Sequence, residues 1–235
     1  MMKTKTRNRH RLAFHMARAA LLCGLGALAV ELPAQEISVA EKILFQSDHL
    51  KKLASPQALR YAYVQQDSAG PGFSDKVVLD VTGKNADGGA TVSPHFLSGE
   101  REVSLQPQDN AQGNPVLLGF LERDIAEMKR LTGGSTSYFR KRIRLALAEA
   151  ASVEAVSLPY GGRQVPGRKI EIQPYLHDPM EEKMPAYVAK RYVFLMSDDI
   201  PGAVYQIRSV VPSLAKPGPA LIEESMTLAA AKGSS

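Results

Sequence analysis

Apolar positions change their spacing twice along the chain. In residues 38–53 (SVAEKILFQSDHLKKL), Val39, Ile43, Leu50 and Leu53 fall near one face at helical spacing. Ser38 stands three residues before Glu41, the reciprocal arrangement in which each side chain satisfies the other residue's free amide. A helix is predicted there, and Ala54-Ser55-Pro56 ends it, because proline disfavours helical geometry in the residue before it. From Leu59 the period becomes two. LRYAYVQ, KVVLDVTG, ATVSPHF and REVSLQ read as strands, separated by turns at Gly70-Pro71-Gly72 and at residues 85–89. Such short connections leave room only for antiparallel neighbours, since parallel pairing needs a crossover of about a dozen residues.

The helical period returns in residues 113–150. Asn114 is placed to cap a helix whose first position Pro115 suits, and Leu118, Leu121, Ile125 and Met128 are predicted to share its inner face. Gly133-Gly134 stops this helix and Ser135 caps the next, which is predicted to bury Phe139, Ile143, Leu147 and Ala150. Strand patterns then resume in SVEAVSLPY, GRQVPGRKIEIQP, KRYVFLMS, AVYQIRSVVP and ALIEESMTLAA. Residues 198–202 form a turn between two of these strands, and Pro217-Gly218-Pro219 separates the last pair. The sum is an α+β chain, an antiparallel sheet interrupted midway by a helical hairpin.

The first 34 residues change the picture of charge. Lys3, Lys5, Arg7, Arg9, Arg11 and Arg18 precede the apolar run Ala19–Val30, and Leu-Pro-Ala-Gln follows. This is the layout of a cleavable secretory signal, with a break expected after Ala34 and a single domain over 35–235. The twelve apolar residues fall short of the roughly 20 that a membrane-spanning helix needs. Six of the 29 Lys/Arg and one of the 24 acids lie in the leader, which leaves 23 of each in the remainder. The +5 net charge therefore belongs to the leader, and no nucleic-acid partner is expected. The one cysteine, Cys23, lies in the same stretch, so neither disulfides nor thiol chemistry is expected after processing. Periplasmic export of a protein not integral to the membrane is the resulting expectation.

Candidate chemistry is sparse. His49 follows Asp48 on the predicted first helix and is expected to face solvent; His95 follows Pro94 near a strand end. His177-Asp178-Pro179-Met180-Glu181-Glu182 is the best local donor cluster for a cation, but a polar turn has the same composition. Gly133-Gly134-Ser135 offers amides at a helix start without the Lys-Ser/Thr sequel of a phosphate loop. The sequence assigns no catalytic residue, no metal ligand and no cofactor. A one-sided sheet must cover its apolar face, and the hairpin is the natural cover. A gap left beneath it is expected to be lined by Leu118, Leu121, Ile125, Phe139 and Ile143, and to take an apolar ligand.

The segment KRYVFLMSDDIPGAVYQIRSVV (190–211), together with the order of elements, resembles the LolA/LolB-like periplasmic lipoprotein carriers. ILFQSDHL, ALRYAYV and GNPVLLGFLERDI are similar to stretches of an uncharacterised family of secreted proteobacterial proteins. The carrier resemblance implies a curved, half-barrel-like, mostly antiparallel sheet with the hairpin on its concave face, an N-terminal helix, and an apolar cavity for acyl chains. Three functions are open: a non-catalytic binder or carrier of an apolar or lipidic ligand, an envelope structural or protein-interaction factor, and an enzyme with a polar site assembled only by folding.

Overall fold

The computed structural model describes residues 36–213 and 218–229; the leader expected over 1–34 lies outside the described residues. The first helix, α1, is one α-helical turn (Val39–Glu41) continued by π-helical turns (Lys42–Gln46). The capping box is present: Glu41 N–H donates to Ser38 Oγ at 3.1 Å, and Ser38 N–H donates to Glu41 Oε2 at 3.0 Å. The helix stops at Gln46 rather than running to residue 53, because Ser47 is extended and its hydroxyl folds back onto the Lys42 carbonyl. The turn that follows buries His49, Leu50 and Leu53, and the Lys84 ammonium donates to the Leu50 carbonyl at 2.7 Å.

Among the described residues nine strands follow: β1 (Gln57–Asp67), β2 (Gly70–Lys84), β3 (Ala90–Phe96), β4 (Gln108–Ala111), β5 (Ser152–Tyr160), β6 (Arg163–Ile172), β7 (Arg191–Met196), β8 (Val204–Val211) and β9 (Ile222–Leu228). They form one open, curved, wholly antiparallel sheet in the order β4-β3-β2-β1-β9-β8-β7-β6-β5. The last of these strands thus joins the two halves of the sheet, because β9 pairs with β1 on one side and β8 on the other. REVSLQ is not a strand: Gly99–Arg101 makes a 3-10 turn, and Val103 forms an isolated bridge to Phe96. β4 lies farther on, in a polar stretch that carries no alternating pattern.

The hairpin consists of α2 (Val116–Thr132) and α3 (Thr136–Glu149). Asn114 Oδ1 accepts from Val116 N–H at 3.2 Å, Gly133 ends α2 at a φ of 72°, and Ser135 Oγ accepts from Tyr138 N–H at 3.1 Å. Glycine suits that left-handed position because it has no Cβ to clash. The buried face of α2 carries Val116, Leu117, Phe120, Leu121, Asp124, Ile125 and Met128, whereas Leu118 is 51 % exposed. The hairpin lies against one face of the sheet. At Gly119 the approach to β3 is so close that a Cβ would sit 2.6 Å from the Phe96 ring. In α3, Phe139, Ile143 and Leu147 are buried as the spacing predicts, but Ala150 is exposed because the helix ends at Glu149.

Candidate functional site

An open groove of about 1180 Å3 lies between α1, the last turn of α3, the β5–β6 hairpin and the turn after β7. Its apolar walls are Val39, Ile43, Leu147, Val153, Val156 and Met196, and its charges come from Lys52, Glu149, Arg168, Asp198 and Asp199. The Ser38 hydroxyl, which also caps α1, donates to the Leu147 carbonyl at 2.9 Å and thereby fixes α1 against α3. Lys52 Nζ donates to the Asp198 carbonyl at 2.9 Å and lies 4.0 Å from Asp199, offsetting one of the two acidic charges at that corner. Arg168 stands in register with Ala155 and Met196, between a small and an apolar neighbour.

His49 holds the back of this groove and does not face solvent as expected; it is 6 % exposed. Its Nδ1 receives the Asn114 N–H at 3.1 Å, so the ring proton sits on Nε2, which donates to the Ile43 carbonyl at 2.7 Å. The Asn114 amide in turn donates to the Tyr61 hydroxyl and the Gly202 carbonyl, each at 2.9 Å. His49 thus ties α1 to the start of α2, and the Asn114 side chain extends the link to β1 and the β7–β8 turn. Burial lowers the His49 pKa from 6.5, outweighing the Ile43 carbonyl and the charges of Asp198 and Asp48. Protons then bind the unfolded chain before the folded one as pH falls. Stability should be full above the unfolded value and decline as pH drops from about 6.5 toward the lowered folded value. Urea midpoints recorded between pH 7.5 and 5 should show this slope, and His49→Gln should flatten it.

A second polar assembly lies under α2, inside the core. Tyr192 on β7, Ser209 on β8, Glu224 on β9 and Gln65 on β1 stand opposite one another in register, forming a row across the sheet. Asp124 of α2 comes down onto this row. Its Oδ1 accepts from Lys190 Nζ at 2.6 Å and Ser209 Oγ at 3.0 Å, and its Oδ2 accepts from the Tyr192 hydroxyl at 2.5 Å. Beside it, Arg123 pairs with Glu224 at 2.5 Å and lies over the rings of Tyr63 and Phe73. Burial raises the Glu224 pKa, reinforced by the charge of Asp124 and opposed by Arg123 and Lys190. Burial likewise raises the Tyr63, Tyr175 and Tyr192 hydroxyls. The row is folded-in chemistry of the kind the third reading required, but none of its members lines the groove.

The predicted ligand residues separate. Leu121, Ile125, Phe139 and Ile143 join the core, Leu118 points outward, and none of the five lines the groove. His177 and Asp178 diverge: His177 is exposed at a φ of 57°, while Asp178 is buried. Asp178 accepts from the Tyr138 hydroxyl and from Met180 N–H at 2.8 Å, and pairs with Arg142 at 2.8 Å. His95 is exposed, 3.5 Å from Asp80. Among the described residues, no helix is long and apolar enough to cross a membrane. The groove was beyond sequence reasoning because residues from α1, α3, β5, β6 and the β7–β8 turn meet only in the fold.

No family model matches the chain, and no curated protein matches it. Among solved structures the chain is similar to the crystal structure of the Mycobacterium tuberculosis lipoprotein LppX, at 10 % identity and a TM-score of 0.31, over 74 % of this chain and 86 % of that one. A likeness of this size assigns the chain to no family.

Proposed function

We propose that the protein is a periplasmic, non-catalytic binding or carrier protein for an apolar or lipidic ligand, which it seats in the groove beside α1. The groove supports this reading: at about 1180 Å3 it is somewhat larger than the usual small-molecule site of about 300–1,000 Å3, and it sets apolar side chains beside a polar, charged rim, as an amphipathic ligand requires. The reading moves the ligand away from the helix–sheet interface expected from Leu118, Leu121, Ile125, Phe139 and Ile143. Export rests on the leader pattern in residues 1–34. The apolar part of the ligand lies along Val39, Ile43 and Val156, and its polar end meets the charged rim.

Val39 gives the test its handle, because it lines the groove yet is 61 % exposed, so a substitution there leaves the core intact. Val39→Asp should weaken binding of a fluorescent fatty acid by about tenfold, the loss expected when roughly 1.5 kcal/mol of side-chain burial is removed. Protein recovered from the periplasm should also release acyl chains on solvent extraction. Absence of saturable probe binding, or an unchanged affinity in Val39→Asp, would overturn the reading.

A further inference from the structure

The two edges of the sheet are built differently. β4 has four residues and pairs with β3 at two positions. β5 has nine, all paired with β6 without a bulge. Edge strands are ordinarily shielded by shortness, by a bulge, or by lysine or proline on the strand, and of these β5 has only Pro159, at its turn end. β5 carries no lysine or arginine. Its one charge, Glu154, is 3.6 Å from Lys169 of the neighbouring strand.

The free side of β5 can be read residue by residue. Gly161 and Gly162 close the hairpin at φ values of 60° and 75°, the signature of a two-residue turn with positive φ at both positions. Tyr160 and Arg163 flank that turn and therefore form a hydrogen-bonded pair. Alternation then aims the amides of Leu158, Val156, Glu154 and Ser152 at β6, and those of Val153, Ala155 and Ser157 away from it. Pro159 also lies on the outward set and brings no N–H. Among the described residues, no backbone hydrogen bond outside the β5–β6 ladder reaches this strand, and Ala155 and Ser157 are exposed.

We propose that β5 pairs antiparallel with β5 of a second copy of the chain, making a two-fold symmetric dimer with one continuous sheet. An antiparallel edge is its own complement. A two-fold axis at Ala155 sets Val153 opposite Ser157 of the second copy and Ala155 opposite its counterpart, so that every outward N–H finds a carbonyl. In the same register Glu154 faces Val156 of the second copy, and like charges do not oppose each other. β4 is too short to receive β5, so head-to-tail growth has no seat and the assembly closes at two. β5 also walls the groove through Val153, Ala155 and Val156, but the pairing uses only the outward backbone groups of the strand.

Sedimentation equilibrium of the leader-free protein, combined with amide exchange measured by NMR, tests the proposal. Ala155→Pro deletes one outward donor while sparing the β5–β6 ladder, and a proline on an edge strand with its N–H side free is tolerated. Ala155→Lys places two ammonium groups at the axis. The wild-type protein should sediment as a dimer with slow exchange at Val153, Ala155 and Ser157. Both variants should sediment as monomers with an unchanged melting temperature for the monomer, and Ala155→Lys should exchange rapidly at Val153 and Ser157. A wild-type monomer at every concentration would overturn the proposal. So would a dimer that survives both substitutions, or one whose Val153 and Ser157 amides exchange as fast as those of Ala155→Lys.

Discussion

Asp124→Ala is expected to destabilise the fold by about 3–5 kcal/mol, the cost of breaking a buried ion pair from one side. Lys190 Nζ would be left without its carboxylate where its side chain is 5 % exposed, and the Tyr192 and Ser209 hydroxyls would lose the acceptor they share. The loss should not equal the worth of the pair itself, because most of it is the penalty of an uncompensated ammonium in the core. Asp124→Leu combined with Lys190→Met removes both charges and substitutes apolar volume. That double variant should recover most of the stability lost in Asp124→Ala. Urea unfolding at constant m-value reads both quantities. If the double variant is as unstable as Asp124→Ala, the charges themselves hold the hairpin down.

The same residue explains what the sequence concealed. The inner face of α2 runs through Leu117, Leu121, Asp124 and Met128, with an acid in its middle. Of the predicted stripe, Leu121, Ile125 and Met128 are buried and Leu118 alone is exposed, because Leu117 takes the inner place beside it. Period-two alternation is plain in β7 and β9, which pack one face against the core, whereas β5 buries only Leu158 and β4 (QDNA) offers nothing to alternate. The hairpin was legible from its glycine stop and serine cap, both of which are local chemistry.

The polar row left a fainter trace in the strands. Glu224 occupies the inward parity of IEESMTL together with Met226 and Leu228, and Ser209 lies between Ile207 and Val211 in β8. A polar residue at an inward strand position needs a buried partner, but only register and the descent of α2 say which. The groove left less trace still. It is a space between elements, and periodicity reports which faces are apolar without measuring what separates them.

Phe139→Ala should cost about 3–5 kcal/mol, the range for truncating a core aromatic. The ring is 1 % exposed and meets Tyr138 and Tyr175 edge-on at 5.6 Å and 5.7 Å. Tyr175 is itself fully buried, and Tyr138 donates to Asp178, so the ring supports the segment 173–190 as well as α3. Truncation should therefore loosen that segment first, measured as faster amide exchange across 173–190 than across β7 and β8. Gly134 belongs to the same packing unit: a Cβ there would lie 2.6 Å from Phe139 Cζ, so this glycine is required by the ring's closeness. Gly134→Ala should destabilise the wild-type protein but cost much less in a Phe139→Leu background. The coupling between the two should fall in the range of about 0.5–3 kcal/mol found for residues in contact. Additivity within about 0.3–0.5 kcal/mol would mean that the ring moves aside freely and that the helix turn is not built around it.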